Sequence, residues 1–503
     1  MRPAQSAVAA RLAAAATTPP PLASAAGSAV CLNDAGQPVD WWLLYKTPGN
    51  CGASPWVRGN VTLYVDASTA AGCDSGGTCW QAGSIDRPDS ALQRTLAQLT
   101  ANGAGVAMYS DQPPYYRYKY TDYLPWAHAK GLLHFGATSG IWLRHSIPVW
   151  PNRTDGAPHW AYVPWPETCL GQHALCLSLN ASSLDGAVAA LLSKFKPYFY
   201  QASGLTSCVP SKLAATYPSL IAVLADAADP SAAPGAPTTA TFSTAGGVSW
   251  TAFAKGNSGP ADQAQIFEDL VVPGLQASMG WQTWRTQFGA FGPEACRYDP
   301  NQSMNNTCGI QPGSLASVDI QNLSVPAGLA GTLRAAASPA TAGEEPQSSG
   351  DGLVQPPVAA WRSCDDHSKW GAALPLDGSS GSSSGSGISA EPPPAPWVCF
   401  CDNNRELSQA PRGGACTCTE AASLWRAMAA VVQSAPDTCR QVAVNMRRAI
   451  QSSGIPCWQL AGVSFGDLQG SVAMQTSMHQ SWDIIAQDLL PGGGVLESAG
   501  GVA

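Results

Sequence analysis

Ala127-His-Ala-Lys-Gly-Leu-Leu133 and Asp365-Asp-His-Ser-Lys-Trp-Gly371 are two copies of one short pattern, H-x-K, set far apart in the chain. On a β-strand, residues two apart face the same side, so each copy aims an imidazole and an ammonium at one spot. One H-x-K carries little weight, because the pattern is common by chance. Two of them in strand-like settings predict a single active site assembled from two halves of the chain. Transfer of a phosphoryl group needs such a set: a nucleophile, an acid for the leaving oxygen, and cations for the phosphate charge.

Outward from each copy the pattern continues. His128 to Phe135 and Ile141 to Ile147 predict a hairpin, joined by the turn-rich Gly136-Ala-Thr-Ser-Gly140. After the second copy, a nearly pure Gly/Ser tract and a Pro run (378–394) intervene before the strand-like Trp397 to Phe400. With that insertion set aside, both halves read H-x-K strand, turn, and a return strand carrying Trp142 or Trp397. The polar residues of the return strands, His145 and Asn404, are candidates for positioning a substrate. A second insertion, rich in Pro, Gly, Ser and Glu, covers 338–355.

Elsewhere, Val39-Asp-Trp-Trp-Leu-Leu-Tyr45 reads as a buried strand and Asn60 to Val65 as its partner. Leu92, Leu96 and Leu99 have helical spacing behind Ser90, a helix cap. Leu184 to Phe195 and Asp262 to Gln276 read as helices, and Pro218 to Ala225 as a shorter one with proline in its first turn. The expected organisation is a leader over 1–30, an N-terminal half over 31–225, a C-terminal half over 226–439, and a tail over 440–503.

The chain has 503 residues, of which 12% are charged, with a net charge of −8. An acidic surface disfavours nonspecific nucleic-acid binding at neutral pH, an objection that weakens in acid as carboxylates protonate and histidines charge. Sixteen cysteines and N-x-S/T sequons at Asn60, Asn152, Asn180, Asn301, Asn305 and Asn322 suit an oxidising, secretory route. Ala7 to Ala16 resembles a short signal core interrupted by Arg11, and Pro19 to Ala29 holds small residues suited to cleavage. No run reaches the roughly 18 to 20 apolar residues of a membrane span. A soluble secretory or lumenal protein is expected.

Several motifs, in order, resemble the deoxyribonuclease II family. They are CLNDAGQPVDWWLLYKTP (Cys31 to Pro48), YSDQPP (Tyr109 to Pro114), AHAKG (Ala127 to Gly131), WLRHSIP (Trp142 to Pro148) and LGQHALC (Leu170 to Cys176). DDHSKW (Asp365 to Trp370), WVCFCDNNRELSQAPRGG (Trp397 to Gly414) and Leu424-Trp425 complete the set. The resemblance runs from Cys31 to about Cys439. It implies a phospholipase-D-like α/β fold, a pseudodimer of two similar halves in one monomer. It also implies an acid endonuclease acting on DNA without metal or cofactor, leaving 3′-phosphate and 5′-hydroxyl ends, in a lysosome- or vacuole-type compartment or outside the cell. Disulfides Cys31–Cys169, Cys399–Cys418 and Cys296–Cys439 are implied as well. The two insertions, the extra cysteines and the tail depart from the family pattern.

The site residues expected to carry the chemistry are His128, Lys130, His367 and Lys369. One histidine, neutral, attacks phosphorus; the other, protonated, serves the departing oxygen; the lysines take the place of a metal. Analogy with the fold family makes His367 the nucleophile and His128 the acid. His134 fills the core, and His159, His173 and His479 are structural. Asp111, Asp365 and Asp366 either tune a histidine or cap turns, with turns preferred. Cys399-x-Cys401 and Cys416-x-Cys418 suit a zinc site or two bridges closing one loop; in a secretory chain bridges are preferred, adding Cys401–Cys416, with Cys73–Cys79 elsewhere. Tyrosines between Tyr115 and Tyr123, with Arg117 and Lys119, suit either DNA stacking or ordinary packing. Two other functions compete: a catalytically inactive relative that binds DNA or another polyanion, and a phosphodiesterase of the same fold on another substrate. Neither H-x-K is followed closely by the aspartate common in phospholipases, which argues against lipid chemistry.

Overall fold

Trp41-Trp-Leu-Leu-Tyr-Lys46 is buried at every position. Trp41, Leu43 and Tyr45 enter the main core, while Trp42 and Leu44 enter a second core that includes Ala91, Leu92 and Leu96 of the helix Ala91–Ala97. A strand covered on both faces loses the in–out alternation of a half-exposed one, so it reads as one hydrophobic run. Ser90 caps that helix as expected, accepting a hydrogen bond from the Gln93 amide at 3.3 Å.

The computed structural model describes residues 29–49, 60–75, 79–85, 87–100, 104–114, 126–151, 170–200, 211–226, 236–257, 264–284, 315, 317–320, 322–326, 329, 360–362, 366–374, 392–405 and 409–434. The tail, most of the leader and of both insertions, Tyr115 to Tyr123, His159 and the Cys296–Cys439 pairing lie outside these residues.

The strands, in chain order, are β1 (Cys31–Leu32), β2 (Pro38–Val39), β3 (Trp41–Lys46), β4 (Val61–Asp66), β5 (Gln81–Ser84), β6 (Gly105–Ser110), β7 (Lys130–Phe135), β8 (Ser139–His145), β9 (Gln172–Asn180) and β10 (Thr238–Ser243). They continue with β11 (Ser249–Lys255), β12 (Met279–Gln282), β13 (Ser317–Asp319), β14 (Asn322–Ser324), β15 (Ala360–Arg362), β16 (Trp370–Ala373), β17 (Trp397–Cys401), β18 (Gly414–Glu420) and β19 (Val432–Ser434). One seven-stranded sheet has the order β5-β4-β3-β9-β8-β7-β6 and the other β10-β11-β18-β17-β16-β12-β13. Neighbouring strands are antiparallel, apart from β12 and β13 at one edge.

The run β9-β8-β7-β6 of the first sheet has its counterpart in β18-β17-β16-β12 of the second, with an H-x-K just before β7 and before β16. This mixed α/β architecture of two similar halves is the expected one. The main core holds Leu43, Tyr45 and Trp142 of the first sheet together with Trp250, Phe400 and Cys418 of the second, so it is shared between them.

The register refines the repeat. Arg144 stands opposite Gly131 and Leu175, and Phe400 opposite Trp370 and Thr417, so Arg144 and Phe400 correspond. Trp142 then matches Val398 rather than Trp397. The two tryptophans are one residue out of phase and face opposite sides. Pro218–Ala225 is helical as expected, with proline in its first turn. The described part of Asp262 to Gln276 forms a π turn (Ile266–Val271) running into a short helix (Val272–Leu275), which stops at Gln276 with φ 53°. Leu184 to Phe195 likewise starts as a π turn.

Three expected bridges are present: Cys73–Cys79, Cys399–Cys418 and Cys401–Cys416. The last two join directly opposed residues of β17 and β18, which excludes a four-cysteine zinc site there. The expected Cys31–Cys169 pairing is corrected to Cys31–Cys176. Cys31 lies opposite Val39 at the entry to β3, and Cys176 lies opposite Trp42 where β9 pairs with β3, leaving the two Cα atoms 6.0 Å apart. This bridge closes a loop of 145 residues. The Cys31→Ala/Cys176→Ala double variant is expected to lose about 2 to 5 kcal/mol of stability, read as a lower midpoint in guanidinium unfolding.

Candidate active site

Neither H-x-K lies within a strand. Lys130 is the first residue of β7, and His367, Ser368 and Lys369 precede β16. Strand alternation therefore does not aim these side chains, which corrects the expectation from spacing. Their backbones are instead held by the opposite half of the chain. The His128 amide donates to the Gly413 carbonyl at 3.0 Å, and the His367 amide to the Gly171 carbonyl at 2.7 Å.

Gly171 and Gly413 occupy matching places, each just before β9 or β18, so the two contacts form a pseudo-two-fold cross. Both positions need glycine. A Cβ on Gly171 would lie 2.4 Å from the Asp366 carboxyl, and one on Gly413 2.8 Å from the Phe195 carbonyl oxygen.

The cross brings the two motifs together. Lys130, Lys369 and His128 lie within electrostatic reach of one another. Burial first, and then the Lys130 ammonium, bring Lys369 down to about 7. Its Nζ donates to the His367 carbonyl at 2.7 Å. Burial also pushes the His128 imidazole well below the ordinary histidine value; Asp111 opposes that push, while Lys130, Arg412 and Lys369 reinforce it.

Asp111 does more than cap a turn. Fully buried, it accepts a hydrogen bond from Lys130 Nζ at 2.6 Å and one from Arg412 Nη2 at 3.0 Å, and its Oδ2 lies 3.9 Å from His128 Nε2. Burial alone would raise its carboxyl. Lys130, His128 and Arg412 outweigh burial and hold it well below the usual carboxylate range. Arg412 comes from the second half, so this carboxylate also joins the halves. Asp366 does serve a turn, accepting from the Ser368 amide at 2.8 Å, and is further tied to Tyr45 and to Trp361 Nε1.

His145 and Asn404 are not equivalent in register: His145 corresponds to Cys401, and Asn404 lies beyond the end of β17. His145 is buried near Lys130, accepts a hydrogen bond from the Ile147 amide through Nδ1, and packs edge-on against Trp150. Its Nε2 has no hydrogen-bond partner among the described residues. Asn404 is buried too, but no hydrogen bond or ion pair among the described residues ties it to either motif.

The neighbouring arginines are structural. Arg144 reaches into the second half, pairing with Asp402 at 2.8 Å and donating to the Ala415 and Phe400 carbonyls. Arg405 pairs with Glu268 and Asp319. His173 sits closer to the site than expected, since its Nδ1 accepts the Lys369 amide at 3.2 Å. His134, on β7, fills core as expected; burial brings it down to about 4.

Sequence reasoning missed Arg412, Gln172 and Ser146 as neighbours of the motifs. Gln172 contacts the His367 ring, and Ser146 holds Gln172. Each lies inside a segment that carried the family resemblance, and that placement was the available signal.

Comparison with known proteins identifies the family. The family model described as Deoxyribonuclease II matches residues 30–325 and 344–438, which include both H-x-K motifs. The chain is 27% identical to deoxyribonuclease-2-alpha of Rattus norvegicus over 414 residues, covering 80% of this chain and 93% of the relative. It is 25% identical to deoxyribonuclease-2 of Caenorhabditis elegans over 431 residues, 80% of this chain and 92% of the relative. With plancitoxin-1 of Acanthaster planci the identity is 23% over 405 residues, 79% of this chain and 89% of the relative. The chain belongs to the deoxyribonuclease II family of hydrolases.

Proposed function

We propose that the chain is an acid, metal-independent endodeoxyribonuclease that cuts DNA phosphodiesters to 3′-phosphate and 5′-hydroxyl ends through a phosphohistidine intermediate. The observation that carries this reading is the cross of backbone hydrogen bonds that gathers two histidines and two lysines from opposite halves. One histidine nitrogen attacks phosphorus and a P–N bond forms as the P–O5′ bond breaks. The other histidine gives its proton to the departing 5′ oxygen. Water then attacks the same phosphorus, the P–N bond breaks, and the second histidine takes back a proton. Lys130 and Lys369 face the non-bridging oxygens and stabilise the charge that builds on them. His145, with an N–H on its unpartnered Nε2, serves as a further donor to phosphate, and Asn404 is the weaker candidate for that role.

Acid operation follows from the same groups. A nucleophilic histidine must be neutral when it attacks, and burial pushes His128 toward that form. Lys369 is cationic below about 7 and neutral above it. The four bridges among the described residues suit an oxidising setting, so we place the enzyme in an acidic lysosome- or vacuole-type compartment or outside the cell.

The test is plasmid nicking in EDTA across pH. Relaxed and then linear DNA is expected at pH 5, with kcat/KM falling as pH rises through about 7 and Lys369 loses its proton. Folded, soluble protein that leaves the plasmid supercoiled at pH 5 in EDTA sinks the proposal.

A further inference from the structure

The segment just before β18 reaches the site at two points. Its Gly413 carbonyl accepts the His128 amide at 3.0 Å, and its Arg412 guanidinium donates to Asp111 at 3.0 Å and to the Trp126 carbonyl at 3.2 Å. A carbonyl outside a strand is aimed only as well as its neighbouring peptide planes are held, because each plane turns about soft backbone dihedrals. Whatever holds these planes therefore also places His128.

Lys255, the last residue of β11, lies buried beside them. Its Nζ donates to the Ala410 carbonyl at 2.6 Å and to the Arg412 carbonyl at 2.7 Å. Two carbonyls on one ammonium fix the angle between their peptide planes, and such charge-assisted bonds are about twice as strong as neutral ones. The Arg412–Gly413 peptide unit is also gripped at its other end, where its amide donates to Asn257 Oδ1. Asn403 Nδ2 adds longer bonds, at 3.3 Å, to the Arg412 and Gly413 carbonyls. Beyond Gly413 the chain enters β18, where Gly414 stands directly opposite Lys255. Gly413 thus sits between a clamped peptide and a strand pinned in register, and its own carbonyl has one direction left.

A lysine holds the matching place in the first half. Lys46 ends β3, stands opposite Gln172 beside Gly171, and is buried like Lys255; its Nζ donates to the Thr47 carbonyl at 3.1 Å. An ammonium is a costly filler for a buried space, since it must be hydrogen-bonded there, whereas an apolar side chain fills the same volume at no such cost. What the ammonium adds is direction.

We propose that Lys255 is a positioning residue: through the Arg412–Gly413 peptide it aims the carbonyl that anchors His128 and the guanidinium that grips Asp111. This rests on the nuclease reading above and extends the working site to a residue outside both motifs.

Lys255→Met keeps an apolar stem of similar length and removes the ammonium. In plasmid nicking at pH 5 in EDTA, kcat is expected to fall about 30-fold with KM within about twofold of wild type, since a small misplacement of a reacting group costs rate rather than binding. Deuterium exchange read at single amides is expected to quicken about tenfold or more at His128, while Leu132 to Phe135 of β7 keep wild-type rates. Asn257→Ala releases the other end of the same peptide unit. It is expected to give the same pattern at several-fold size, and it carries the test if Lys255→Met does not fold. A folded variant with wild-type kcat, a loss confined to KM, or exchange that is unchanged at His128 or rises evenly along β7 and β8 overturns the proposal. Wild-type protein that fails to cut DNA in EDTA defeats the nuclease reading instead, and exchange at His128 then still decides whether Lys255 sets its anchor.

Discussion

His128→Ala is expected to lower the rate of DNA cleavage at pH 5 by about 10⁴-fold or more with little change in KM, because on the proposed mechanism both histidines take part in the chemical step. Folding provides the control. His134 is buried on β7 and neither ring nitrogen is hydrogen-bonded among the described residues, so His134→Leu should keep activity. A His128→Ala protein that kept more than about a tenth of wild-type kcat/KM would remove His128 from the chemistry.

Asp111→Ala is expected to cost about 3 to 5 kcal/mol of folding stability, because it strands Lys130 and Arg412 as buried cations without their shared anion. Denaturant unfolding at pH 5 and pH 7 measures it. The sign with pH follows from the direction of the shift. Asp111 is held well below its unfolded value of about 3.9, so its contribution is fully present above that pH and is lost as pH falls toward the folded value. The wild-type protein therefore keeps this clamp at pH 5, and the gap between wild type and variant should be equal at pH 5 and pH 7. A gap that had largely closed at pH 5 would contradict the assignment of Asp111 as a carboxylate held ionised by cations from both halves.

The sequence made local structure legible, and for physical reasons. The continuous apolar run at Trp41–Lys46, the helical spacing of the buried Leu92 and Leu96 behind Ser90, and the β7–β8 hairpin each depend on neighbours close in the chain. The two H-x-K motifs were visible as well, but the reason they point together was not. Spacing suggested strand alternation, whereas the backbone of each motif is set by a glycine from the other half. Asp111 and Arg412 are 301 residues apart, and Gln172 and His367 are 195 apart, so no local pattern could pair them. The Cys31 pairing failed for the same reason: choosing between Cys169 and Cys176 requires knowing that β9 lies beside β3. The mismatch between Trp142 and Trp397 shows that similar residues in a repeat need not share a register.

The cross of His128 with Gly413 and His367 with Gly171 has a consequence for what holds the candidate site together. Its groups occupy a seam between two sheets rather than a cleft within one. Each half supplies a backbone anchor for the other's histidine. Separating the sheets by an ångström would break both anchors and part the core that the sheets share, so the candidate site cannot outlast the docking of its halves.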